Sequence, residues 1–276
     1  MSELLDKIHA SELTMLDEID RVCRALGLTY YLSCGTLLGA VRHEGFIPWD
    51  EDLDIMMPRA DYETFVRKAP ALLESGFRLD DISTNPLYFN PFAKIRLVDS
   101  LFAIRALKNY RGGQELWLDI FPMDEVAGQD DPSLAARART IGLCRAAICT
   151  KRGVFDLGSV SLRQRLAIRA LLLLPEQKIW GRMKKAHLAG QGDCYVILDT
   201  DYKPQKLILP KAWFTPAKEG RFEGKTYPIP ADSDAVLTHI YGDYMQIPPK
   251  EKQVTFYPMK IRFPDGEEYD LEDSAE

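Results

Sequence analysis

Apolar positions recur at helical spacing near the start of the chain. Leu13, Leu16, Ile19 or Asp20, Cys23 and Leu26 fall on one face, and Gly27 stands where such a helix stops. The pattern then changes period. Residues 29–33, TYYLS, are β-prone, 35–42 read as a turn entering a short helix, and 53–57 form a second short strand. Residues 59–74 are helical up to Gly76. Residues 77–83, 92–98, 101–107 and 116–121 read as strands, with Gly112 and Gly113 between the last two. From 132 to about 189 the pattern is helical again, broken at Gly153, Gly158 and Pro175. The remainder is proline-rich, with short strands and one helix near 232–241. This order predicts an α+β (mixed α/β) fold: a central mixed sheet, flanking helices and a helical insertion. With no repeat and no linker, a single domain over 1–276 with an insertion at about 132–190 is expected.

Charge sharpens this picture. The 276 residues carry a formal net charge of −6, which argues against a nucleic-acid partner. Residues 134–190 run against the trend, with twelve Lys and Arg against Asp156 and Glu176 alone. Cys23, Cys34, Cys144, Cys149 and Cys194 are odd in number and lack metal-ligand spacing, so reduced thiols in a cytoplasmic protein are expected. The N-terminal MSELLDKIHASELTML does not resemble a signal peptide, and no apolar run approaches the roughly 20 residues of a membrane span.

The chemistry concentrates in GTLLGAVRHEGFIPWDEDLDIMMP, residues 35–58. Asp50, Glu51, Asp52 and Asp54 lie within five residues and run directly into Ile55, Met56 and Met57. In a strand, i and i+2 share a face, so Asp52 and Asp54 point together while Leu53 and Ile55 point into a core. Adjacent carboxylates repel unless a cation lies between them, and Mg2+ (or Mn2+) favours such oxygen ligands. A solvated acidic turn is the plain alternative. A calcium loop of the EF-hand type fails because Ile55 occupies the position that needs glycine. Upstream, Ser33, Cys34, Gly35 and Thr36 form a small-residue turn whose N–H groups suit a phosphate, and Arg42 follows. Asp119, between Leu118 and Ile120, is costly in an apolar strand unless it has a partner, and a metal shared with Asp52 and Asp54 would be one. On that view, an Asp119→Asn exchange would relieve repulsion and stabilise the metal-free protein.

GTLLGAVRHEGFIPWDEDLDI resembles the signature of the LicD family, shared with fukutin-type proteins. FAKIRL (92–97), WLDIFPMD (117–124), FEGKTYPIP (222–230) and YGDYMQIPP (241–249) agree in order, so the resemblance spans roughly residues 10–255. It implies a nucleotidyltransferase-like fold. It also implies transfer of a phosphorylated alcohol, phosphocholine or similar, from a CDP-activated donor to a hydroxyl of a cell-surface or cell-wall glycan such as teichoic acid. By motif position it makes Asp52 and Asp54 the metal pair, Asp119 the third carboxylate, and Gly35 and Thr36 the phosphate-side turn. Asp119 would either share the metal or take the acceptor hydroxyl's proton. Where many relatives carry a histidine-containing tail, this chain has Gln253, Val254, Thr255 and Phe256.

Other residues keep two readings. Lys94 and Arg96, at i and i+2, are phosphate ligands or an ordinary polar strand face, and Arg42 a third phosphate ligand or a structural ion pair. Asp50 is an outer ligand or a surface acid, and Glu51 is read as solvated. Trp49, Trp117, Tyr241 and Tyr244 form a cage for a quaternary ammonium or simply pack in the core. The four histidines show no ligand spacing and are read as structural or surface residues. The basic 161–190 stretch is a solvated insertion, a positive wall for an anionic ligand, or a helix lying on anionic lipid near a lipid-linked glycan acceptor, which would place the protein at the inner face of the membrane. Two other functions compete: nucleotidyl transfer to a small-molecule hydroxyl, and catalytically silent glycan binding.

Overall fold

The first helix, α1 (Ser2–Leu26), turns one face onto the sheet, with Ile8, Met15, Leu16, Ile19, Val22 and Cys23 buried. Its apolar stripe is rotated from the expected one, because Leu13 and Leu26 are only partly buried. It ends at Gly27, whose φ of 63° is the left-handed conformation that glycine adopts without a Cβ clash. The structure is a computed structural model and describes residues 2–198, 200, 203–256 and 258–271.

The main sheet is built from β1 (Tyr31–Leu32), β2 (Asp54–Pro58), β3 (Phe77–Asp80), β4 (Ala93–Leu97) and a long central strand, β6 (Trp117–Val126), in the order β1-β2-β6-β4-β3. Helix α2 (Cys34–His43) connects β1 to β2. Helix α3 (Arg59–Lys68) follows β2 at once, and Pro70 breaks it early into a turn of 3-10 helix. Between β4 and β6, β5 (Leu101–Ala103) leaves the main sheet to pair with β11 (Lys260–Arg262), itself paired with β12 (Glu268–Asp270). Strand β2 runs parallel to β6 while β4 runs antiparallel to it, so the sheet is mixed as expected. Strand β6 is near-continuously buried, which fits its place at the centre of the sheet.

The basic stretch forms three helices, α4 (Leu134–Lys151), α5 (Leu162–Leu172) and α6 (Glu176–His187). They enclose a second hydrophobic cluster, with Ile141, Ile148, Ile168, Ile179 and Met183 packed on Val126. Strands β7 (Cys194–Val196) and β8 (Ile208–Pro210) then extend the sheet from the far end of β6. A hairpin, β9 (Lys218–Phe222) and β10 (Lys225–Ile229), and helix α7 (Ser233–Tyr241) complete the fold. Among the described residues, no helix is long and apolar enough to cross a membrane.

Candidate active site

Register sets the geometry of the site. Asp54 on β2 lies opposite Asp119 on β6, and Asp119 lies opposite Lys94 on β4. Three adjacent strands thus carry one row: carboxylate, carboxylate, ammonium. Asp52 sits in the extended run just before β2, and the Leu53 carbonyl between the two acids accepts from the Asp119 backbone N–H at 3.2 Å. Leu53 and Ile55 point into the core at 1 % and 0 % exposure, so the alternation read from the sequence holds although the strand begins one residue later.

These side chains line a cavity of about 780 Å3, into which Gly35, Asp50, Asp52, Asp54, Lys94 and Asp119 face. Cys34 opens α2 with a φ of 44°, left-handed and sparsely populated for a residue with a Cβ, and it too lines the cavity. At Gly35 the backbone comes so close to Asp50 that a Cβ would stand 2.5 Å from its carboxylate oxygen, so a larger residue there would displace that carboxylate from its place on the cavity wall. Thr36 is buried, and its Oγ1 accepts from the Asp54 backbone N–H at 2.8 Å. It fixes the start of β2 and is not among the residues lining the cavity. Asp50 has a firm place: the His9 Nε2–H donates to its carbonyl at 2.6 Å, and the His9 ring stacks on Phe46.

The acids are held in a setting that disfavours their charge. Burial, then repulsion from Asp52 and Glu51, pushes Asp50 up to about 8. Crowding by the surrounding cavity wall, which thins its hydration, and then the Asp119 carboxylate push Asp52 up to about 6 against the pull of Lys94, although its side chain still reaches solvent. Asp54, half-buried beside Asp52 and Asp119, is raised well above the usual carboxylate range, by lost hydration first and by those two carboxylates after it. Glu51, read as solvated, is half-buried and has a partner: its carboxylate accepts from the Phe256 N–H at 2.9 Å, and partial burial lifts it to about 7. The sequence pattern missed Glu12 on α1, which is buried and raised by burial first and by Asp52, Asp50, Asp54 and Glu51 after it.

Asp119 has a partner other than the one expected. Its Oδ1 lies 2.5 Å from Lys94 Nζ, and that ammonium lies 4.4 Å from the centre of the Trp117 ring. Burial pulls Lys94 below its ordinary value, with Asp119 opposing. Arg96 lines the cavity but is already engaged, its Nε on Asp80 at 3.2 Å and its Nη1 on the Glu115 carbonyl at 2.8 Å. Arg42 does not line the cavity; its Nη1 donates to the Tyr244 carbonyl at 2.8 Å and ties α2 to the segment after α7. The four aromatics separate: Trp117 and Tyr241 line the cavity, whereas Trp49 stands against His43 and the Tyr244 hydroxyl donates to Asp234. From the insertion, Arg145 on α4 also reaches the cavity wall, which pattern alone did not single out.

The fit to a metal follows from these donors. Among the described residues, no set of three or more Asp, Glu, His or Cys is placed to hold a metal ion by itself. Asp119 is paired with Lys94. Asp52 and Asp54 remain as two hard oxygen donors whose mutual repulsion a cation would relieve. That is the donor set Mg2+ uses where substrate phosphates and water complete its shell.

A second polar centre lies at the far end of β6. Asp124, the last residue of WLDIFPMD, accepts from Arg59 at 2.7 and 2.8 Å and contacts His187 Nδ1 at 2.7 Å. Burial alone would raise Asp124, but the bonds from His187 and Arg59 outweigh it and hold this acid below its usual value. His187 is therefore a structural histidine that pins α6 to the sheet.

A mixed sheet with paired acids on the wall of a cavity defines a class, and comparison with known proteins specifies it. Residues 27–136 match the family model described as LicD/FKTN/FKRP, nucleotidyltransferase domain. The lipopolysaccharide cholinephosphotransferase LicD of Haemophilus influenzae is 30 % identical over 255 residues, covering 87 % of this chain and 91 % of that protein. An uncharacterised protein of Rickettsia typhi is 44 % identical over 52 residues, 19 % of this chain and 17 % of that one. Another from Rickettsia prowazekii is 56 % identical over 50 residues, 18 % and 19 % of the two chains. The chain belongs to the LicD family.

Proposed function

We propose that this protein transfers a phosphorylated alcohol, phosphocholine first among them, from a CDP-activated donor to a hydroxyl of a cell-surface glycan. One observation carries the reading: Asp54, Asp119 and Lys94 stand in register across three strands, with Asp52 beside them, on one cavity wall. The likeness to a protein named as a lipopolysaccharide cholinephosphotransferase supports the same substrate class.

Asp52 and Asp54 would hold Mg2+ or Mn2+, which when bound offsets charge on the donor's phosphates and on the departing CMP. Lys94 adds a fixed positive charge on the same wall, and Arg145 a further one from the insertion. The first turn of α2, at Cys34 and Gly35, presents backbone to the donor's phosphate. Asp119, with one oxygen on Lys94, has its second oxygen to receive the proton of the acceptor hydroxyl. The hydroxyl oxygen bonds to the phosphorus that bears the alcohol, the bond from that phosphorus to CMP breaks, and CMP leaves.

Purified protein with Mg2+, a lipopolysaccharide-type acceptor and a panel of CDP-alcohols provides the test. CMP release matched by phosphocholine on the glycan is the expected result. If pyrophosphate is released instead, from a nucleoside triphosphate and a small hydroxyl compound, the protein is a nucleotidyltransferase and the reading fails.

A further inference from the structure

The acid cluster has a second side. A smaller cavity of about 200 Å3 lies beside the large one and shares Asp52, Ile104 and Trp117 with it. Glu12, Glu51 and Asp52 supply carboxylates to its wall, and Phe102, Trp117 and Phe256 supply rings. Glu12 is 2 % exposed, and its Oε2 has no hydrogen-bond partner. A buried carboxylate oxygen left unmatched is costly, and a positive charge beside it would offset that cost. The rest of the wall is fixed in place. Trp117 and Phe102 meet edge to face with centroids 5.1 Å apart. The Phe256 N–H donates to Glu51 at 2.9 Å, and the Thr255 hydroxyl donates to the Trp49 carbonyl at 2.8 Å, so the 253–256 segment closes one side.

We propose that this side cavity binds the quaternary ammonium head of the transferred group, with Glu12 as its buried counter-charge and Phe256 as its outer wall. The inference rests on the phosphocholine reading and locates the choline end of that substrate. A quaternary ammonium has no N–H to donate, so it is recognised by aromatic faces and by unshared negative charge, and this wall offers both. A divalent metal suits it poorly, because aromatic rings give no hard ligand. A glycerol or ribitol head can donate a hydroxyl to Glu12 but sets neutral hydroxyls against the rings and brings no charge to balance the acids. Asp52 belongs to both cavities, so a phosphate at the acid pair and an ammonium on its other side belong to one short molecule.

The test separates this claim from the transfer reaction. Phosphocholine and glycerol 3-phosphate carry the same phosphate and differ in the head, and their binding to the full chain is measured by calorimetry. Wild-type protein should bind phosphocholine at least about tenfold more tightly. Glu12→Gln and, independently, the exposed-site variant Phe256→Ala should each reduce that ratio at least about threefold while leaving glycerol 3-phosphate within about twofold of wild type. A wild-type ratio near one, or variants that weaken both phosphates equally, overturns the proposal. CMP release from CDP-choline is read separately. If the ratio holds but no transfer occurs, the side cavity stands and the proposed function falls; if transfer occurs with a ratio near one, the reverse is true.

Discussion

Replacing Asp119 by Asn discriminates between two accounts of that carboxylate. If repulsion from Asp52 and Asp54 dominated, the metal-free protein would gain stability. The structure reverses the sign, because Asp119 is 2.5 Å from Lys94, a side chain only 9 % exposed. Breaking a buried pair by removing one partner costs about 3 kcal/mol, since the other charge stays buried. Relief of repulsion on the neighbouring acids offsets about 1 kcal/mol of this, the worth of one pKa unit. The contact pair wins because Coulomb energy falls with distance and the opposed acids sit on neighbouring strands, roughly 5 Å apart. A net loss of about 2 kcal/mol is expected in urea unfolding at pH 7 with EDTA. The loss should shrink as pH rises toward the ordinary lysine value. With Lys94 depressed in the folded variant, the unfolded chain binds more protons there, and stability rises with pH. Lys94→Met alone should also destabilise, and the double variant should recover much of either loss. An Asp119→Asn protein as stable as wild type under these conditions would refute the ion-pair account.

Asp52→Asn and Asp54→Asn should each abolish transfer with the fold intact and remove any Mg2+-dependent rise in melting temperature; turnover unchanged at saturating donor would exclude that residue from the chemistry. In EDTA, wild-type stability should fall as pH rises from about 5 to 8, because Asp50, Glu51 and Asp52 titrate at about 8, 7 and 6 when folded, well above unfolded values near 4, so the native state binds more protons; a flat profile contradicts this. Asp124→Asn should cost about 3 kcal/mol and raise hydrogen exchange in 176–187 more than in β2. In wild-type protein the same contact, resting on a depressed carboxylate, contributes above about pH 4 and is lost as pH falls below it; equal exchange in both segments would show that His187 does not hold α6. Leu162, Leu166 and Leu173 are exposed beside Arg163 and Arg169, so binding to anionic vesicles should exceed binding to neutral ones and weaken with salt. Replacing Arg163, Arg165 and Arg169 together by Gln should reduce it, and no vesicle preference at low salt leaves a solvated insertion.

The one-dimensional pattern determined what depends on neighbours along the chain. The pairing of Asp52 with Asp54 on one face and of Leu53 with Ile55 on the other follows from the strand period of two, and the structure keeps it. Gly27 ended its helix as expected because a positive φ is a local property. The helical character of the basic stretch was legible for the same reason, but which of its apolar residues are buried was not. Ile168, Leu171 and Ile179 went into a core shared with α4, while Leu166 and Leu173 stayed outside. Only the tertiary structure decided the partners. Lys94 reaches Asp119, Glu12 joins the acids from α1, Arg145 enters the cavity from the insertion, and Arg42 turns to Tyr244. Each of these contacts joins segments remote in sequence, and sheet register, which no local spacing encodes, brings the row of Asp54, Asp119 and Lys94 together.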